Sequence, residues 1–579
     1  MRQSTGMGWK RFMRCLMALV ILSVFWSMGH GPSVPEARAG QLLKVGLLQE
    51  PKTLNFWLAS DRWSSRVLSL MYQRLYIRDP KTLELIPWLA EGMPQYDEAT
   101  LTYTVKLKPA KWSDGSEFTA EDVAFTGNTI KEFKVPRYRS RWKFIKSIET
   151  PDKHTVRFCL EEPMAVFTSR TLTTPIVPKK EWGAIVEEAR KTEKPLTTLL
   201  NHRVEKPLAS GPFVLKQWKD GAFLFLEKNK HFFGTGKTLC GRTLGPFIDG
   251  MIFKFFGTSD AAILALKKGS IDMFWWRIEA GYIEDLQREK DIQLFYNERS
   301  ALYYMGFNLR RPPFDDPNLR RAVAILIDKD FILKRIVQGY GVKMRSVVPS
   351  GNKFWYCDEV PVYGEGLSRK ERVKQAYDML KQAGYTWEVA PVEEDGKVTD
   401  GKGIKLPGGQ TMPDINILTP PADYDPLRAM SGMIIQEWLR AVGIHVSARP
   451  MSLSSLLQQV KSTHDFDAFI LAYGRLDIDP DWMRRFFHSS EDRKRGSNKS
   501  GYKNPEFDRI AEASARAMDR NERRNLVRDM QKLVIQDVPY VPLYNPKLVE
   551  AARMDQFSGW VEMLEGIGNL WSFCVLKGK

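Results

Sequence analysis

Beyond His30 near the start, six histidines that could bind a metal or carry a proton, His154, His202, His231, His445, His464 and His488, are spread thinly along the chain. None sits in an H-x-H, H-E-x-x-H or Cys/His spacing that would gather ligands, so no metal site and no cofactor is expected. Gly234-Thr235-Gly236-Lys237-Thr238 has the tail of a phosphate loop, but that loop needs glycine five residues before Gly236, where the chain has His231. It reads as a turn between strands. No G-x-S-x-G or S-x-x-K pattern offers an activated serine, although a triad built from distant segments leaves no local signature. The densest functional chemistry lies in Ala472-Tyr473-Gly474-Arg475-Leu476-Asp477-Ile478-Asp479-Pro480. There Arg475 can hold a carboxylate or phosphate through two hydrogen bonds, or pair internally with Asp477 or Asp479. Both readings are open. Aromatic clusters at Phe56-Trp57, Phe274-Trp275-Trp276, Tyr303-Tyr304, Phe354-Trp355-Tyr356 and Trp482 supply candidate pocket walls, though burial in a core is the commoner use of such rings.

These residues need a scaffold, and the pattern of the chain supplies one of mixed strands and helices. Leu101, Tyr103, Val105 and Leu107 alternate with polar residues at the period of a half-buried strand. Thr119-Ala120-Glu121-Asp122 and Ser368-Arg369-Lys370-Glu371 mark helix starts, the second a full capping box ahead of Val373, Ala376, Tyr377 and Leu380. A further helix opens at Asp425-Pro426, with proline at the first helical position, and runs through Met430, Ile434 and Trp438 towards Gly443, with the short β-rich run Ile444–Ala448 after it. Asp519 and Glu522 start a last long helix ending before Pro539. Val392 to Gly409 reads as an exposed hairpin or loop. Strands alternating with helices indicate α/β architecture.

Arg2, Lys10, Arg11 and Arg14 precede the apolar run Cys15 to Met28, and Ala37-Arg38-Ala39 follows. That order is a secretory signal peptide with cleavage expected before Gly40, and Cys15 lacks the context of a lipid-anchored precursor. The apolar run is shorter than the ~20 residues of a spanning helix. Beyond it lie 540 residues, more than the ~250–300 at which single cores stop growing, so at least two lobes are implied. The formal charge is +17, and removing the signal's five basic residues and one acid leaves +13. The basic residues are interleaved with acids rather than gathered in an arm or patch, which argues against nucleic acid as partner. Cys159, Cys240, Cys357 and Cys574 can form up to two disulfides in an oxidising compartment, with three full connectivities.

Four blocks carry a family resemblance. Leu47-Leu48-Gln49-Glu50-Pro51 with Thr53-Leu54-Asn55 forms the first. Pro87-Trp88-Leu89-Ala90-Glu91, Lys111-Trp112-Ser113-Asp114-Gly115 and Thr119–Val123 form the second. Ser210-Gly211-Pro212-Phe213, Glu227-Lys228-Asn229 and Ala265–Asp272 form the third, and Phe307-Asn308, Pro313-Phe314-Asp315-Asp316 and Leu319–Val323 the fourth. With Val538-Pro539-Tyr540-Val541-Pro542-Leu543-Tyr544 near the end, the chain resembles bacterial extracellular solute-binding protein family 5, the peptide, nickel and oligosaccharide receptors of ABC importers. The resemblance implies a two-lobed periplasmic-binding-protein fold of the large, three-subdomain α/β class, with the ligand cleft between lobes. Residues 40–299 would form lobe one with its inserted subdomain, 300–537 lobe two, and 538–579 the return to lobe one.

It also implies a periplasmic, monomeric receptor that passes a small-molecule solute to a transmembrane permease and catalyses nothing. In the family's peptide receptors an aspartate three residues before the Asp/Glu-Pro pair accepts the peptide's α-ammonium, with an aromatic residue three before that. Here the aromatic is Tyr473, but the acid's position holds Leu476. Asp477 is one residue out of register, which in an extended segment points a side chain to the other face. By register an ordinary peptide is therefore not the expected ligand, and Tyr473, Arg475, Asp477, Trp57 and Trp276 are the candidate binding residues. A nickel or metal-chelate receptor of the same fold and an exported hydrolase are the alternatives.

Overall fold

The computed structural model describes residues 41–579; the expected signal peptide, residues 1–39, lies outside the described residues. Two mixed sheets organise the chain into the two lobes of an α/β fold. The first has the order Ile292–Asn297, Leu548–Arg553, Met273–Phe274, Leu42–Leu47, Gly250–Phe255, Phe223–Lys228, Phe213–Lys219. Its middle strand runs parallel to both neighbours and buries Leu43, Val45 and Leu47 completely. The second sheet has the order Gly341–Lys343, Tyr540–Pro546, Leu302–Phe307, Ala468–Tyr473, Ile415–Thr419, Val446–Pro450. A separate antiparallel sheet of Gln95–Asp97, Thr102–Lys106, Thr155–Leu160 and Ile145–Asp152 is inserted into the first half, with Tyr103 and Val105 on its buried face.

Helix starts follow the local chemistry. In Ala120–Glu132 the Asp122 carboxylate accepts from the Thr119 amide at 2.9 Å, and in Arg369–Gln382 the Glu371 carboxylate accepts from the Ser368 amide at 2.7 Å. Pro426–Arg440 begins where expected; Ala429, Gly432, Ile435 and Leu439 face inward with Trp438, while Met430 is exposed. Gly432 lets this face approach the sheet closely, since a Cβ there would meet Thr419 Cγ2 at 2.6 Å. Val392–Gly409 is a hairpin-like excursion with bridges Val392 to Val398 and Val389 to Lys402. Cys159, Cys240, Cys357 and Cys574 are all free thiols, the last two buried. Among the described residues no helix is long and apolar enough to cross a membrane.

The chain crosses between the two sheets after Asn297 and again after Pro546. The second crossing corrects the expected boundary at 537/538: Tyr540–Pro546 is hydrogen-bonded to Leu302–Phe307 and to Gly341–Lys343, so it is a strand of lobe two. Val538, at φ 52°, turns the chain directly from helix Arg520–Asp537 into that strand. The crossings are tied together by Asn545 Nδ2, which donates to the Arg299 carbonyl at 2.6 Å, and by Glu565, which accepts from the Ser300 amide at 2.7 Å.

Candidate functional site

Strand Ala468–Tyr473 ends at a cleft of about 680 Å³ lined from both lobes. Tyr473 lines it, its ring parallel to Tyr304 (5.3 Å between centroids) and to Phe486 (4.1 Å), so its position is fixed by its own lobe. Adjacent Tyr303 and Tyr304 both reach the wall, and a register shift lies between them in the pairing with Tyr540–Pro546. Trp276 faces them from lobe one, with the Arg62 guanidinium 5.5 Å from its ring. Trp57, by contrast, is 1% exposed in the core of lobe one, edge-on to Trp182 at 5.7 Å. The turn after Leu54 directs it inward, where Asn55 Oδ1 accepts from the Trp57 amide. It does not reach the cleft.

The segment after Tyr473 separates the remaining candidates. Leu476 packs into the core of lobe two and donates its amide to the Ser300 carbonyl. Asp477 is turned away from the cleft wall, 3.9 Å from Arg78 of lobe one. Asp479 is bound by Arg523, so neither aspartate pairs with Arg475 and the internal ion-pair reading fails. Arg475 is exposed and outside the lining, but its charge acts on Arg62, Arg66 and Arg74. It stands on the rim.

The cleft's dominant feature is charge that sequence reasoning missed. Its lining holds seven cationic side chains, Arg62, Arg66, Arg277, Arg299, Arg428, Lys461 and Lys499, against two carboxylates, Asp425 and Glu565. Both acids are engaged: Asp425 caps helix Pro426–Arg440 and accepts from Arg428 Nε at 2.8 Å, while Glu565 holds the Ser300 amide and lies 3.9 Å from Arg299 Nε. The other five cations form no ion pair among the described residues. Lys499, only 6% exposed, donates to the hydroxyls of Tyr304 (3.3 Å) and Tyr473, and burial pushes its pKa down. Arg66 lies over Trp63 and Trp275, 4.9 and 4.4 Å from the ring centroids, and burial lowers it to about 9. Behind it Glu550, fully buried, is pushed up to about 7 by burial despite Arg66 and the amide of Ile567. Arg62 and Arg66 stand four residues apart on helix Arg62–Met71, a spacing that puts them on one face and was legible. Lys499 sits in an irregular loop and had no such signal.

Elsewhere the lobes are joined by charges that are paired. Asp479 takes two hydrogen bonds from Arg523 (2.7 and 2.6 Å) and one from Ser169 of lobe one (2.7 Å). Burial works to raise its pKa, but Arg523 and Ser169 hold it at about 2. Beside it Arg170 of lobe one meets Asp481 at 2.7 Å, and Arg520 meets Glu84 of lobe one at 2.6 Å.

A family model described as bacterial extracellular solute-binding proteins, family 5, matches residues 84–494. The oligopeptide-binding protein AppA of Bacillus subtilis (strain 168) is 27% identical over 558 residues, covering 93% of this chain and 94% of its own. Among solved structures, NikZ from Campylobacter jejuni, in complex with Ni(L-His), has a TM-score of 0.70 at 20% identity, covering 94% of this chain and all of that one. The periplasmic oligopeptide-binding protein of an oligopeptide ABC transporter from Thermotoga maritima has a TM-score of 0.75 at 20% identity with the same coverage. At that identity the two structures establish the fold. The relatives are named as binding proteins rather than enzymes. The matched region spans most of the chain, both lobes and the cleft between them, and the chain belongs to the bacterial extracellular solute-binding proteins of family 5.

Proposed function

We propose that the protein is an exported receptor of an ABC importer, which captures a small anionic solute between its lobes and delivers it unchanged to a membrane permease. The observation that carries this reading is the excess of cations in the cleft, with both lining carboxylates already engaged. Electrostatic complementarity then selects for negative charge. Leu476 stands where an acid would receive an α-ammonium, and no free carboxylate replaces it, so free di- and tripeptides are poor ligands. Tyr473 and Trp276 form apolar walls, while Arg475 attracts the solute at the rim. Contacts to both lobes exist only in the closed form, giving the differential affinity that drives closure.

Cleavage before Gly40 would release a soluble periplasmic monomer, to be checked by N-terminal sequencing and fractionation. A second reading, a nickel or metal-chelate receptor, draws on the same charge. Among the described residues no three His, Cys, Asp or Glu side chains converge, so a metal would arrive inside an anionic chelator. Native mass spectrometry of freshly purified protein tests both readings. A stoichiometric anion or anionic chelate, released intact, is the expected result. Turnover of a bound ester or peptide would overturn the receptor reading.

A further inference from the structure

Resting on that receptor reading, we infer that the cleft is built for a solute carrying two separate anionic groups, one seated at Lys499 of lobe two and the other at Arg66 and Arg62 of lobe one.

The lobe-two seat is a side chain, not just a surface charge. Lys499 is more than nine-tenths buried, lines the cleft, lies over the Tyr473 and Phe486 rings (4.1 and 5.5 Å to the centroids) and donates to two phenolic hydroxyls, with no carboxylate partner among the described residues. A desolvated ammonium without a counter-ion is costly, and a hydroxyl dipole offsets only part of that cost. Such a group is stabilised when a ligand brings the missing charge. The lobe-one seat is more open, with Arg66 half-buried and Arg62 exposed. Arg66 is flanked by Trp63 and Trp275, with its planar fork unpaired, and Arg62 stands one turn away beside Trp276. A guanidinium in that state accepts a carboxylate or phosphate in bidentate geometry. Tyr303, Tyr304 and Tyr473 line the same cleft, with Tyr304 and Tyr473 beside Lys499, and suit an apolar or ring-shaped body in the solute.

The arrangement also bears on closure. A solute with one anionic group satisfies one lobe and leaves the other's cation uncompensated. A solute with two groups satisfies both only when the lobes are together, so its affinity for the closed form exceeds that for either lobe alone. Carboxylate and phosphate share this chemistry, and the test must separate them.

The test is isothermal titration calorimetry and thermal shift on the mature chain, with two arms. Adipate is compared with hexanoate, and glucose 1,6-bisphosphate with glucose 6-phosphate. In at least one arm the two-headed ligand should bind 30-fold or more tightly than its one-headed counterpart. Lys499→Met should reduce it to the one-headed level, and Lys499→Arg should restore most of the difference. Melting of each unliganded variant controls for folding. Equal binding of one- and two-headed ligands, or no binding in either arm, overturns the inference. So does retention of two-headed binding by Lys499→Met. If native mass spectrometry shows instead a tightly held neutral, cationic or singly charged solute, the two-seat inference falls while the receptor reading stands. Turnover of a bound solute would remove the receptor reading itself.

Discussion

Two of the places where the lobes meet handle charge in opposite ways. At the turn Asp477–Asp481, Asp479 is clasped by Arg523 and Ser169, Asp481 by Arg170 and Arg484, and Asp477 faces Arg78. In the cleft, five cations lack a carboxylate partner among the described residues, one of them deeply buried. A buried charge that is paired on every side belongs to the structure, because breaking the pair leaves its partner desolvated. A buried charge left single is a cost that folding does not require, and it becomes sensible only when something outside the chain completes it. The same segment, Tyr473 to Pro480, runs from one place to the other, so family register alone could not say which of its residues belongs to which.

The largest expected effect is on the paired side. Asp479→Ala should destabilise the protein by about 3–5 kcal/mol, since Arg523 would be left buried without its counter-ion. Calorimetric melting checks this, and an unchanged Tm would break the comparison at once. The pH dependence has a definite sign. A carboxylate held at about 2 in the folded state, against ~3.9 when unfolded, contributes stability that is present above pH ~4 and lost as pH falls through about 2. Asp479→Asn should therefore be less stable than the unmodified protein at pH 6, with the gap closing towards pH 2.

How far the sequence reveals these regions depends on how local their causes are. Helix starts at Thr119, Ser368, Asp425 and Asp519 were legible because a cap and its amide lie within three residues. The two-lobed fold was legible through blocks of family resemblance spread over the chain. The face of helix Pro426–Arg440 was not, because a hydrophobicity pattern weighs Met430 above Gly432, whereas close packing on Thr419 favours the glycine. The strand at Tyr540–Pro546 was assigned to the wrong lobe, since its partners lie more than 200 residues away. Of the candidate binding residues, Tyr473 and Trp276 line the cleft, Arg475 stands at its rim, Asp477 faces Arg78, and Trp57 is core. The unpaired cations were invisible, because what distinguishes Lys499 from other lysines is the acid it lacks.

Glu550 sharpens the comparison, being the acid that could pair with Arg66 from behind the cleft wall. Its folded pKa of about 7, against ~4.3 unfolded, means its contribution is present at low pH and lost as pH rises through about 7. Below that pH it is mainly neutral and leaves Arg66 without a counter-ion. Glu550→Gln should stabilise the protein by about 1–3 kcal/mol at pH 8, with the gain shrinking towards pH 5. Urea denaturation at the two pH values measures it. A loss of stability at pH 8 would show that Glu550 and Arg66 form a structural pair, moving Arg66 to the paired class.

Lys499→Met should act with the opposite sign to Asp479→Ala. Replacing a single buried charge with an apolar chain of similar length removes a desolvation cost, offset by two lost hydrogen bonds to tyrosine hydroxyls, so the unliganded protein should be unchanged or about 1–2 kcal/mol more stable. A loss above about 2 kcal/mol in the same melting measurement would make Lys499 a structural residue like Arg523.

Arg475→Ala should have the smallest effect, and it tests where the rim ends and the site begins. Read from register, Arg475 was a candidate for a desolvated clamp on the solute. Exposed and free of Asp477 and Asp479, it instead sits in solvent that screens its charge, with no partner to strand when it is removed. Exposed charges contribute little to stability, so Tm should shift by less than the equivalent of about 0.5 kcal/mol. Binding should weaken by no more than about 1 kcal/mol, mostly through a slower association rate, because a rim charge steers an anion inward without holding it. Stopped-flow association at two salt concentrations separates the cases: the difference between variant and unmodified protein should shrink as salt screens Arg475. A loss of several kcal/mol carried by faster dissociation and insensitive to salt would mean that Arg475 swings inward onto the bound solute, and the cleft's set of holding cations would then extend to the rim.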